Sequence, residues 1–143
     1  MFRLRAIVVA LLLALLLAGC GTQGQGATTS APAPNTSVRQ QTVGGLTIAL
    51  EAPAAPALLD QASFLITLTD AGGKPVNGAD VYIDMTMATM KMGTNKPVAS
   101  AAGNGTYRAQ GTFDMAGDWT ITVHATVAGK EHAATFDSQV AEQ

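Results

Sequence analysis

Beyond residue 43, apolar and polar residues alternate in short runs, which is the period of a β-strand with one buried face. Gly, Pro, Asn and Asp residues, which are typical of turns, separate these runs. No long window places apolar residues at the three-and-four spacing of a helix. The pattern predicts strands at residues 46–50, 63–69, 79–87, 106–113, 118–127 and 132–140.

The predicted strands fill one domain of about 100 residues, 43–143. About seven short antiparallel strands in this length predict an immunoglobulin-like β-sandwich. The cysteine pair of antibody domains is absent, so we expect the core to depend on apolar burial alone. Trp119 shares a strand face with Ile121 and Val123, which predicts that it is a core residue.

The N-terminal residues 1–19 have the pattern of an export signal. Arg3 and Arg5 supply the positive start, and the 13 apolar residues of 6–18 follow. A spanning helix needs roughly 18 or more apolar residues, so this run is too short to remain in the bilayer. Residues 17–20, Leu-Ala-Gly-Cys, resemble a bacterial lipobox, in which cleavage precedes the cysteine and its thiol receives a diacylglyceryl group. We therefore predict a lipoprotein signal peptide.

Cys20 is the predicted site of lipid attachment. It is the only cysteine of the chain, so it cannot form an internal disulfide. The alternative is an ordinary secretory signal with an incidental cysteine. Two or more acyl chains, palmitate among them, would anchor the protein stably to the extracytoplasmic face of the cell membrane, periplasmic or outer.

Residues 20–42 are rich in Gly, Ser, Thr, Pro and Gln and contain almost no large apolar side chain. Such a segment cannot bury enough surface to order itself, so we predict a flexible linker. As a flexible coil of about 22 residues it would span roughly 25 Å.

The most informative chemical feature is a run of methionines. The chain has 6 methionines; apart from the initiator and Met115, they lie at positions 85, 87, 90 and 92. A thioether is soft, polarizable and uncharged, so a cluster of them suits Cu(I) better than Mg, Ca or Zn. Methionine is also a flexible filler of apolar cores, which is the competing interpretation.

The first two methionines of the run lie on a predicted strand. Met85 has the same parity as Val81 and Ile83, so the core is favoured over a ligand role for it. Met87 stands where the strand ends, and both interpretations stay open.

The other methionines fall in or beside loops. Met90 and Met92 flank Lys91 in a polar loop, so we expect them to act as metal ligands or as an exposed soft contact surface. Met115 precedes an Ala-Gly turn. It would complete a copper site if its turn lay at the same end of the sandwich as the methionine loop, because an immunoglobulin-like fold gathers its loops at two ends.

The two histidines, His124 and His132, are both expected at the surface. Neither has the close His, Asp or Glu spacing of a zinc site. An imidazole that joined the thioethers would extend the site to Cu(II), so both remain weak candidate ligands.

The sequence gives little support to an enzyme or to nucleic-acid binding. It has no Gly-x-Ser-x-Gly, no phosphate loop and no Cys–His pair, and its turn aspartates have local hydrogen-bonding roles. Without Arg3 and Arg5, the 8 basic residues fall to 6 against 10 acidic ones, so the mature chain carries about −4 and has no basic patch.

Three segments together resemble the YtkA-like/FixH-like domain family: residues 73–81, Gly-x-Tyr at 105–107, and the Ala-Gly-x-Trp turn within 113–123. The resemblance covers most of residues 43–140. It implies a small extracytoplasmic β-sandwich, often tethered or fused to metal-handling and respiratory-assembly proteins, and copper-related work. Many relatives carry a Met-Pro-x-Met stretch where this chain has residues 85–92. Because the proline is missing here, only the methionines carry over.

These observations support two hypotheses. The first is a lipid-anchored extracytoplasmic protein that binds Cu(I) through Met87, Met90 and Met92, with Met115 or Met85 completing the ligand set. It would buffer copper or deliver it to an acceptor. The second is a metal-free interaction module that docks on a membrane or envelope complex, such as a respiratory protein, through exposed Met90 and Met92.

Overall fold

The described part of the chain forms eight β-strands in two antiparallel sheets, and six of the strands bury alternate residues. The computed structural model describes residues 35–87, 89–90 and 95–142. One sheet has the order β1-β2-β3-β6-β5 and the other β4-β7-β8. The strands are β1 Thr36–Val43, β2 Leu46–Pro53, β3 Gln61–Thr69, β4 Asp80–Met87, β5 Ser100–Gly103, β6 Thr106–Thr112, β7 Gly117–Val127 and β8 Lys130–Val140. The predicted all-β, immunoglobulin-like sandwich is confirmed.

The core lies between the two sheets, where alternate residues of each strand point inward. On β7, Trp119, Ile121 and Val123 are fully buried, as the alternation predicts. Phe113 joins the sheets, because its ring packs edge-on against Trp119 at 5.2 Å and against Phe64 at 6.2 Å. Each fully buried large apolar side chain contributes about 1.5–3 kcal/mol to folding, so the core needs no disulfide.

Strand β1 corrects the predicted end of the linker. The segment predicted as linker extended to residue 42, but Thr36–Val43 forms a strand that pairs with β2 along its whole length. Because most of its side chains are polar, β1 lacks the apolar alternation that predicts a strand. What holds it is the backbone ladder and side chains that reach the other sheet: Arg39 and Gln41 donate hydrogen bonds to the carbonyl oxygens of Asp137 and Thr135.

The same contact between β1 and β8 corrects the prediction for His132. This side chain was expected at the surface, but it is only 8% exposed. Its Nδ1 lies 2.9 Å from the carbonyl oxygen of Val43, which can only accept, so Nδ1 donates. The imidazole is therefore a structural bridge between β8 and the end of β1.

The other side of the sandwich is closed by a segment that changes sheets. Residues 95–99 run along the free edge of β4, where Met85 N donates to Asn95 O and Ile83 N donates to Pro97 O, both at 3.0 Å. The chain then continues into β5, which pairs with β6 of the other sheet. The segment 95–99 is therefore antiparallel to β4.

The sandwich has two ends with different loops. At one end lie the connections 54–60 and 113–116, the described residues 89–90 after β4, and the start of β1. We call this the methionine end, because Met87, Met90 and Met115 all belong to it. The opposite end carries the turns at 44–45, 70–79, 104–105 and 128–129.

The Gly-x-Tyr motif at residues 105–107 organises the opposite end. The Tyr107 hydroxyl donates to Val76 O and accepts from Ala79 N, both at 3.0 Å, and so fixes the long 70–79 loop. Gly105 has a φ of +72°, and an added Cβ would lie 2.7 Å from Leu68 O, so no larger residue fits there. These family-motif residues have a structural role.

Candidate metal site

Strand β4 ends at Met87, and the chain turns there. Met90 N donates to Met87 O at 3.4 Å, so residues 87–90 form a turn that brings the two methionines together. Their surroundings differ: Met87 is 7% exposed, whereas Met90 is 48% exposed. The Met87 thioether therefore lies at the edge of the core, and the neighbouring Met90 thioether is exposed to solvent.

The start of β7 supplies the third methionine of this end. Met87 pairs with Trp119 across the β4–β7 ladder. The indole Nε1 of Trp119 donates to Met115 O at 2.9 Å, which fixes the turn before β7. Met115 is half-buried and packs against the core. The structure thus places Met115 at the same end as Met87 and Met90, which the sequence left open.

Gly117 allows the Met87 side chain to approach this turn. Its φ is +127°, and an added Cβ would lie 2.9 Å from the Met87 methyl carbon. A glycine at this position therefore makes room for the thioether beside Met115 and Trp119. The Ala-Gly-x-Trp motif contains both residues that shape the methionine end, Gly117 and Trp119.

Met85 lies deeper, two residues inside β4, and is fully buried. Its Sδ faces the backbone of the opposite sheet, because an added Cβ on Gly111 would lie 2.5 Å from that sulfur. The contact assigns Met85 to the core. Two further residues predicted as sites, Met92 and Cys20, lie outside the described residues.

The histidines do not reach the methionine end. His124 lies five residues along β7 from Trp119, a separation of about 17 Å. Its ring stacks on Tyr82 at a centroid distance of 4.5 Å, and its Nδ1 lies 2.7 Å from Glu131 Oε1. His132 pairs with Ala125, still farther along. Neither imidazole can join Met87 and Met115 as a ligand.

The described residues of the methionine end offer sulfur as their soft donor. Within the described ranges, no three His, Cys, Asp or Glu side chains come close enough together to hold a metal ion. Three uncharged thioethers at one end suit Cu(I), which prefers soft ligands, so the residues fit that ion. The half-exposed Met90 leaves this donor set open to solvent.

Leu59 also belongs to this end, although the alternation of strand residues gives no sign of it. It is 68% exposed, and its N donates to Phe113 O at 2.9 Å. The sequence indicates it only by large apolar residues in the loop between Pro56 and Asp60. No helix in the described part of the chain has the length and hydropathy to cross a membrane.

Comparison with known proteins identifies one matching family. The sequence model of the YtkA-like family matches residues 40–124. A comparison with curated proteins finds no match.

Solved structures similar to the chain are β domains of low identity. They include the soluble domain of PmoD from Methylocystis sp. ATCC 49242, with 13% identity over 71% of this chain and 96% of that chain, and a TM-score of 0.47. The Lin-41 filamin domain has 15% identity over 76% and 94%, with a TM-score of 0.48. The Escherichia coli adhesin FdeC has 23% identity over 73% and 33%, with a TM-score of 0.49. The likeness is one of fold only.

Proposed function

The chain belongs to the YtkA-like family, and we propose that it is an extracytoplasmic Cu(I)-binding protein, anchored to the membrane through a lipid on Cys20. The observation that carries this proposal is that Met87, Met90 and Met115 lie at the same end of the sandwich. Met115 comes from a different part of the chain than Met87 and Met90. The exposure of Met90 is not explained by a role in core packing.

Met87, Met90 and Met115 form the proposed ligand set. Met92, two residues after Met90 in the sequence, is a fourth candidate. Met85 is left out because its sulfur packs against β6. Thioethers are neutral, so the binding of Cu(I) releases no proton. Because each copper–thioether bond is individually weak, the ion can pass to an acceptor by stepwise exchange, with the exposed Met90 as the first ligand to be replaced. Copper buffering or delivery is the role that this chemistry supports.

The test is an anaerobic titration of residues 21–143, which lack Cys20, with Cu(I) against a chromophoric chelator. We expect stoichiometric binding, and we expect Met87→Leu/Met90→Leu/Met92→Leu to weaken it at least tenfold, about 1.4 kcal/mol. Leucine conserves volume, so the fold should persist. Met85→Leu is the matched control and should bind as the parent does. Unchanged affinity in the triple variant would refute the proposal.

A second candidate function is a metal-free interaction module. The exposure of Met90, a flexible apolar side chain at 48%, favours it. In this function the methionine end would contact a membrane or envelope protein.

A further inference from the structure

Exposed large apolar side chains are few in the described residues, and two of the four belong to the methionine end. Leu59 is 68% exposed and Met90 is 48% exposed; the others are Val38 and Val98. Leu59 has a φ of +64°, a left-handed conformation that a residue with a Cβ rarely adopts. Its backbone hydrogen bond to Phe113 O holds it in this conformation. The loop therefore presents an apolar side chain to solvent.

A chain of contacts connects Leu59 to Met90. Leu59 is bonded to Phe113, whose ring packs against Trp119 at 5.2 Å. Trp119 pairs with Met87, which forms the turn with Met90. The two exposed apolar side chains thus stand on the same end, over one buried aromatic cluster.

Exposed carboxylates lie at the same end as these apolar residues. Four exposed acidic residues lie at or beside the strand ends of the methionine end: Asp60, Asp114, Asp118 and Glu142. None of them forms an ion pair within the described ranges. Lys96, in the segment that returns along β4, is paired with Asp84 at 3.2 Å. The opposite end, in contrast, mixes Lys74 and Lys130 with its acidic residues.

We propose that the methionine end docks on a protein whose surface has an apolar centre and a rim of Lys and Arg. The negative charge of the four carboxylates favours this partner over the alternatives. An anionic lipid surface attracts Lys and Arg and would repel the four carboxylates. A second copy meeting end to end would bring four carboxylates from each chain together, and such like-charge contacts are costly. A basic rim pairs with the carboxylates and lets Leu59 and Met90 reach an apolar centre.

The inference rests on the second of the two functions proposed above, and it does not require copper. It shares Met90 with the proposed copper site, but it uses this residue as an apolar contact. Met90→Leu keeps the apolar contact and removes the thioether, so it separates the two roles. Docking should survive Met90→Leu, whereas copper affinity should fall.

The test places a photoactivatable amino acid at position 59 of the full chain, in the cells that naturally make the protein. Position 98 is the matched control, because Val98 is 78% exposed but lies beside β4, opposite Tyr82. We expect a protein adduct at position 59 at least tenfold stronger than at 98, and a cross-linked partner peptide rich in Lys and Arg. Asp60→Asn/Asp118→Asn should weaken the adduct, and Asp60→Lys/Asp118→Lys should abolish it. These carboxylates are exposed and unpaired, so the substitutions should leave the fold intact.

Several outcomes would overturn the proposal. An adduct to lipid would show that the end lies on the membrane, and an adduct of two copies of this chain would show self-association. Equal adducts at positions 59 and 98, an adduct insensitive to Asp60→Lys/Asp118→Lys, or no adduct at all would also refute it. A chain that fails to bind Cu(I) but forms the charge-dependent adduct would refute copper binding and leave the docking proposal standing.

Discussion

The contact between Met85 and Gly111 predicts a strong coupling between these two residues. Gly111 is buried on β6, and an added Cβ would lie 2.5 Å from Met85 Sδ and 3.4 Å from both Phe64 Cε2 and Pro97 Cγ. A separation of 2.5 Å is too short for real atoms, so Gly111→Ala must displace the Met85 side chain. Met85→Ala removes that side chain and leaves a cavity that the new methyl group can partly fill.

The sizes of the effects follow from packing. Where the backbone permits, alanine in place of glycine stabilises by about 0.4–1 kcal/mol, but overpacking a core costs about 1–3 kcal/mol. We therefore expect Gly111→Ala to destabilise by about 1–2 kcal/mol. Met85→Ala alone should cost about 2–5 kcal/mol. The double variant should be more stable than the sum of these losses predicts by about 1 kcal/mol or more, as for residues in contact.

Urea unfolding of the four proteins, followed by the emission of the single tryptophan, measures this coupling. If the losses in free energy of unfolding of the two single variants add up to that of the double variant within about 0.5 kcal/mol, the two residues are independent. That result would refute the assignment of the Met85 sulfur to the core, and it would return Met85 to the set of candidate copper ligands.

Three further predictions concern the two ends of the sandwich. Because Trp119 lies beside Met87 and Met115, Cu(I) should change its emission until one ion per chain is bound, and a flat titration would count against this site. Tyr107→Phe should cost about 1–3 kcal/mol in thermal unfolding, since Val76 O and Ala79 N lose their partner, but Cu(I) affinity should not change because the residue is at the opposite end. Cu(I) affinity should vary little between about pH 5.5 and 8, where imidazole ligands titrate; a steep fall on acidification would implicate a histidine instead.

The sequence predicted the elements whose faces differ in polarity. Strands β2, β3, β4, β6 and β7 bury mostly apolar residues at every second position, and β8 does so at Ala134 and Phe136, so the burial of Trp119 on β7 followed directly. Strand β1 was missed because it is held by its ladder to β2 and by Arg39 and Gln41, and polar side chains carry no signal of burial. The burial of His132 was missed for the same reason, since β1 is what covers it.

The candidate site depends on contacts between residues distant in the chain, which a local pattern does not contain. Sequence parity favoured the core for Met85, and the structure places it there. The meeting of Met87 with the turn at Met115 needs the register between β4 and β7, which is set by the whole sheet. Leu59 and Asp60 precede β3, Asp114 and Asp118 lie around the start of β7, and Glu142 follows β8, so only the topology shows that they share an end.

NMR of the methionine methyl groups tests the proposed copper site one residue at a time. Residues 21–143 with 13C-labelled methionine methyl groups would be titrated anaerobically with Cu(I) and followed by NMR, with assignments from single Met→Leu variants. We predict that the methyl signals of Met87, Met90 and Met115 shift together and saturate at one ion per chain, while that of Met85 stays in place. Signals that do not move, or a shift of Met85 without the others, would contradict a thioether copper site at the methionine end.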